Sequence, residues 1–144
     1  MLFNHVFEYL GKQHLRWINK SLNLLSNSGN ILIFSPNRGG INKIYAEITR
    51  DVNGFDPFFA ADIEALLRDK SIPFYEKAVH GECDISLLDQ PNEDPNKVRL
   101  LSFLTQIDCR RLPDAEKNSY AEYYRSLRYE GKNLIPHPAT LFTL

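Results

Sequence analysis

Cysteine is scarce in this chain: Cys83 and Cys109 are the only two, and they form no Cys-x-x-Cys pair. Two buried free thiols in a reducing cytosol are the expected state, although spacing alone leaves a disulfide open. Long apolar runs are missing too. No window approaches the ~18 apolar residues a membrane helix needs. The first residues, Met1 to Glu8, lack the positive n-region of a secretory leader, and Asn4, His5 and Glu8 interrupt their apolar stretch. A cytoplasmic protein is therefore expected. An excess of one charge is likewise absent, since 17 Lys+Arg face 18 Asp+Glu for a net charge of −1. That balance excludes a disordered acidic or basic tail protein and argues against a generic nucleic-acid binder. There is no G-x-S-x-G, no Walker spacing, no internal repeat and no low-complexity segment.

What remains is a length of 144 residues that suits one domain, enough to bury roughly 68–70% of its unfolded surface without metal or disulfides. Residues 2–26 read as a long amphipathic helix, with Phe3, Val6, Phe7, Leu10, His14, Trp17, Ile18, Leu22 and Leu25 at three- and four-residue steps. Gly11 is its weak point, at a cost of ~1 kcal/mol against alanine. Asn27 to Asn30 supplies the turn that ends it. Ile31–Phe34 reads as a buried strand, and Ile41–Thr49, alternating through Ile44, Ala46 and Ile48, as its hairpin partner. Asp56-Pro57 and Asp94-Pro95 both carry the start signal of a helix, a capping carboxylate followed by proline. The first predicts a helix to about Lys70. The second predicts a helix over 95–108 on Val98, Leu101, Leu104 and Ile107, a run that also fits a strand buried on both faces. Strands are expected at 72–79 and, more weakly, at 84–88. A last helix runs from Leu112-Pro113-Asp114 to Tyr129, and the tail 133–144 is expected to be extended. The fold expected is a single compact α+β domain: an antiparallel-rich sheet of about four strands, a long N-terminal helix and C-terminal helices.

Candidate chemistry is sparse. His80-Gly81-Glu82-Cys83 is half of a zinc deaminase signature, but no Pro-Cys-x-x-Cys follows, because Cys109 precedes Arg110, Arg111 and Leu112. His80, Glu82, Asp84 and Cys83 offer the ligand types of a metal site, and Asp62, Glu76, Lys77, Glu82 and Asp84 those of an acid-base hydrolase or nuclease, but a polar turn and hydrophilic outer-face residues are the simpler accounts. Glu76 and Lys77 are adjacent, so in a strand they point to opposite faces. Ser35–Gly40 could hold an anion on its backbone N–H groups and Arg38, yet no helix is expected to follow it. His14 reads as a core-edge histidine, and His5 and His137 pair with no nucleophile. No cofactor or metal is implied. The last helix brings Tyr120, Tyr123, Tyr124 and Tyr129 together with Arg125 and Arg128, residue types that stack on bases and also populate protein interfaces.

The near-neutral total conceals a segregation. Residues 1–55 carry six basic and three acidic residues, 56–94 carry three and ten, and 95–144 carry eight and five, giving +3, −7 and +3. If the central carboxylates share one side, their field would steer a basic protein and repel nucleic acid. The function expected from this is protein binding. Asp62, Glu64, Asp69, Glu82, Asp84, Asp89, Glu93 and Asp94 would dock a basic partner such as a nuclease or other toxin, with Phe55, Phe58 or Tyr75 as the anchor. Immunity proteins and antitoxins offer the analogy in size and in the absence of catalytic motifs. The alternatives are an enzyme centred on His80, Glu82 and Asp84, and a nucleic-acid accessory protein using Arg110, Arg111, Arg125, Arg128 and the tyrosines.

Overall fold

Apolar and β-branched residues bounded by turn residues make the strands, and three- and four-residue apolar steps make the helices. In the computed structural model these become, in chain order, β1 (Leu2–Asn4), α1 (His14–Leu24), β2 (Leu32–Pro36), α2 (Asn42–Asn53), α3 (Ala60–Asp69), β3 (Tyr75–Asp84), α4 (Pro95–Thr105), α5 (Asp114–Ser126) and β4 (Leu134–Thr143). Short 3-10 turns occupy Phe7–Tyr9, Ser86–Asp89 and Cys109–Arg111. The structure describes all residues except 5, 11, 12, 27 and 130, and leaves the side chains of 8, 52 and 53 undescribed. His5, the weak point at Gly11 and the turn residue Asn27 therefore lie outside the described residues.

The four strands form one sheet in the order β1-β2-β4-β3. β4 is antiparallel to both neighbours, with Phe142 opposite Ile33 on one side and Leu134 opposite Asp84 on the other. β1 and β2 run parallel, Leu2 beside Leu32. The fold is α+β, and its sheet is mixed. Alternate residues of a strand face opposite ways, so helices can cover both sides. Ile33 and Phe142 pack with Phe7, Ile18 of α1 and Ile63 and Leu67 of α3. Ile135, seven residues before Phe142 and so on the opposite face, packs with Ile41 and Ile44 of α2, Leu101 and Leu104 of α4, and Ala121 and Tyr124 of α5. Among the described residues no helix is long and apolar enough to cross a membrane.

Several elements differ from their sequence reading, each for a local reason. The long helix over 2–26 is a strand, a 3-10 turn and α1. Its head pairs with Leu32–Phe34, while the Phe3 and Phe7 rings still meet edge to face at 5.2 Å across the turn. The hairpin partner at 41–49 is instead the start of α2, because the buried residues Ile41, Ile44, Tyr45 and Thr49 recur at helical spacing, with Ala46 buried beside them. α3 starts three residues after Pro57. Asp62 accepts the Phe59 N–H (2.9 Å), while Asp56 is held by Arg50 (2.9 Å). At the second Asp-Pro the cap does form: Asp94 accepts from the N–H groups of Asn96 (2.8 Å) and Lys97 (3.1 Å), and 95–105 is helical. The strand expected at 72–79 spans 75–84, and the weak strand at 84–88 is a 3-10 turn closed by Asp84 accepting from Ser86 N–H. α5 stops at Ser126, and its inner stripe is Ala121 and Tyr124, with Tyr120 and Tyr123 packed beside them. The extended tail becomes β4, in the middle of the sheet.

Candidate functional site

β3 is the outermost strand of the sheet next to β4, and it is ten residues long. Ile85 donates its backbone N–H to Asn133 O at 2.8 Å, which sets the phase of the ladder. Odd-numbered residues of β3 turn their N–H and C=O groups toward β4, and Glu76, Ala78, His80, Glu82 and Asp84 turn theirs away from it. Those same five residues are exposed and share one face of the strand. Gly81 on the other face lies so close to β4 that a β-carbon there would sit 2.9 Å from His137 O.

The acidic segment divides once it is folded. Much of it is neutralised within the protein: Asp62 by Arg38 (3.6 Å), Glu64 by Arg68 (2.8 Å), Asp69 by Lys70 (2.7 Å) and Asp56 by Arg50. Asp89 holds both Arg125 (2.9 Å) and Arg128 (2.7 Å). Burial pushes the Asp89 carboxyl up, but the hydrogen bonds from the two arginines outweigh it and keep it below the usual carboxylate range. Asp94 caps α4, and Glu93 lines a separate cleft with Arg99, Arg110 and Lys117. In that cleft Asp108 accepts from Arg110 at 2.7 Å, and this bond holds its carboxyl down at about 2. Glu76 and Glu82, by contrast, have no ionic or hydrogen-bonded partner among the described residues. Asp84 is bonded by Ser86, whose backbone N–H (2.8 Å) and side chain lower its carboxyl. Of the eight carboxylates the sequence singles out, the structure brings Glu82 and Asp84 together on the β3 edge and places Asp62, Glu64 and Asp69 on α3. Glu76, not singled out for docking, joins the edge pair. Its signal was the period-two spacing it shares with Glu82 and Asp84.

The proposed anchors also separate. Tyr75, at the head of β3, is 83% exposed. Phe55 is exposed beyond the end of α2, whereas Phe58 is stacked on His14 with ring centroids 3.7 Å apart. The His14 ring nitrogen meets Phe7 O at 2.7 Å, and burial lowers its pKa. His14 is thus a core-edge residue.

His80, Glu82 and Asp84 sit on one face of an extended strand, where neighbours two apart are ~6.7 Å from each other along the chain. Among the described residues no three His, Cys, Asp or Glu side chains converge as a metal site. Ser35–Gly40 does lead into a helix, α2, contrary to expectation, with Gly39 and Gly40 at positive φ. Its Arg38 is committed to Asp62 and lies over the Phe59 ring. Arg125 on α5 and Arg128 just beyond its end are occupied by Asp89, and Tyr124 is buried with its hydroxyl donating to Leu104 O at 2.9 Å. Tyr129 remains exposed and, with His80, Glu82, Pro136 and Pro138, lines a cleft of about 170 Å³ against the β3–β4 pair. Cys83 and Cys109 are both free, and both pack into the core cluster around Tyr124. Comparison with known protein families and with curated proteins found no match.

Proposed function

We propose that this chain is a small protein-binding protein of the inhibitor kind, and that its basic partner docks on the acidic outer edge of β3. One observation carries the reading: among the described residues Glu76, Glu82 and Asp84 line an exposed edge with no ion-paired cation, while most other carboxylates of the 56–94 segment are already paired or capping. Unneutralised carboxylates steer a basic surface toward them and raise the rate of encounter. The action is occlusion, with the carboxylates standing where phosphates would meet a nuclease or another toxin, and with exposed Tyr75, at the head of the strand on its opposite face, as an apolar contact.

The test is kinetic. With a basic partner captured from cytosol, association slows steeply as salt rises. The triple reversal Glu76→Lys, Glu82→Lys, Asp84→Lys weakens binding by about tenfold or more. Reversal of Glu64 and Asp69 on α3 leaves it unchanged. A partner that binds equally well to the triple variant at low and high salt sinks the proposal.

A further inference from the structure

We infer that the partner adds an extended segment as a further strand on the outer edge of β3, and that an arginine or lysine of that segment enters the cleft between His80, Glu82 and Tyr129. This rests on the acidic-edge reading above and specifies how the edge is used.

Three features support it. First, β3 offers five outward-turned backbone positions along ten residues, with no proline within it to interrupt them. A row of unpaired N–H and C=O groups is a template for strand addition. Charged residues are one way a sheet edge is protected from chance pairing, and here every charge on the outward row is acidic or histidine. Acidic strands are therefore repelled, and a basic strand is favoured.

Second, the outward row shares its face with the cleft. Glu82 lies opposite Pro136 and His80 opposite Pro138 in the β3–β4 register. The cleft of about 170 Å³ counts both Glu82 and Tyr129 among its lining residues. A long cationic side chain suits that pairing, its stem against the Tyr129 ring and the two prolines and its head on Glu82.

Third, the strand opposes pairing with a second copy of itself. Full-length antiparallel self-pairing sets even-numbered residues opposite even-numbered ones. The two registers that achieve it place Glu76 against Glu82 or against Asp84, and do so twice by symmetry. Like charges directly opposite are destabilising. A foreign basic strand meets no such conflict.

The experiment uses the full chain and a capped ten-residue peptide that alternates arginine with valine and threonine. Binding is read by fluorescence anisotropy, and amide exchange by NMR. The expected result is that the amides of Ala78, His80 and Glu82 exchange at least tenfold more slowly in the complex. Ala78→Pro removes an outward N–H that the β3–β4 ladder does not use. It weakens the peptide at least tenfold while thermal melting shows an intact fold, and Glu82→Gln and Tyr129→Ala each weaken it severalfold. Should Ala78→Pro fail to fold, a peptide N-methylated at alternate amides carries the same test on the native protein. Unprotected edge amides, with undiminished binding to Ala78→Pro or by the methylated peptide, overturn strand addition. If the Glu76, Glu82 and Asp84 reversals still weaken the peptide in that case, the acidic edge stands alone. A peptide that does not bind, or that binds regardless of those reversals, removes both. A dimer whose β3 amides are already protected in the free protein also overturns the inference.

Discussion

Replacing Asp89 by Asn keeps the side-chain shape and removes one charge from the joint between the 86–89 turn and α5. The Asp89 carboxylate accepts from Arg125 Nε at 2.9 Å and from Arg128 Nη2 at 2.8 and 2.7 Å. Arg125 also donates to Leu88 O, so the same arginine holds the backbone of the turn. The Asp89 side chain is 45% exposed and the two arginines 29% and 26%, which places the pairs between surface and interior. Exposed pairs contribute about 0.2–1 kcal/mol each. The covered arginines put both near the top of that range even after screening, and the variant is expected to lose about 2 kcal/mol. For a chain of this size that lowers Tm by ~6 °C. The pH dependence has a definite sign. A carboxyl held below its unfolded value stabilises fully above about pH 4, and the contribution fades as pH falls through the folded value. Urea titrations of the two proteins at pH 7 should therefore differ by the full amount, and the gap should narrow toward pH 3 and in 1 M salt. A loss under ~0.5 kcal/mol, or a gap indifferent to both pH and salt, would show that the ion pairs add nothing to stability. Binding of the arginine peptide should be unaffected by Asp89→Asn, since this carboxylate works inward.

Gly81→Ala should destabilise by ~1–3 kcal/mol, because the new methyl group must displace the β4 backbone at His137. An unchanged thermal melt would contradict the close approach. Tyr124→Phe leaves Leu104 O without its buried hydroxyl donor and should cost about 1–2 kcal/mol in urea at an unchanged m-value. A neutral result would mean that water reaches that carbonyl. His14 sits between Phe7 and Phe58, and burial lowers its pKa, so the unfolded chain binds the proton more readily. Stability should rise with pH through the ordinary histidine range near 6.5. His14→Leu should flatten that slope, and a wild-type profile already flat from pH 5 to 7 would refute the assignment.

The elements legible in the sequence were those whose signals are local. Asp94-Pro95 starts α4 by capping its own first turn, and the Val98, Leu101, Leu104 spacing then settles which face is buried. Ile31–Phe34 reads as a strand on composition alone. The misread segments had two consistent patterns or a distant partner. Ile44 and Ile48 fit both a period of two and a period near 3.6, and only the packing of α2 with α4 and α5 selects the helix. Leu2–Asn4 is a strand because Leu32–Phe34 lies beside it, thirty residues away. The acidic segment was visible, but its division was not, since Arg125 and Arg128 reach Asp89 across thirty-six and thirty-nine positions. Glu76, Glu82 and Asp84 are exposed on the outermost strand of the sheet, where among the described residues no further strand pairs.

The place of β4 between β2 and β3 sets an order in time. During synthesis β1, β2 and β3 are complete before residues 134–143 exist, so the sheet has no centre until they emerge. Until then Tyr75–Asp84 has both edges open, and its sheet partner among the described residues lies fifty to sixty-eight positions downstream. Closure of so long a loop is slow and leaves unpaired strands exposed to neighbours. The same carboxylates, proposed above to select a basic strand, would in the nascent protein keep chains from pairing with each other.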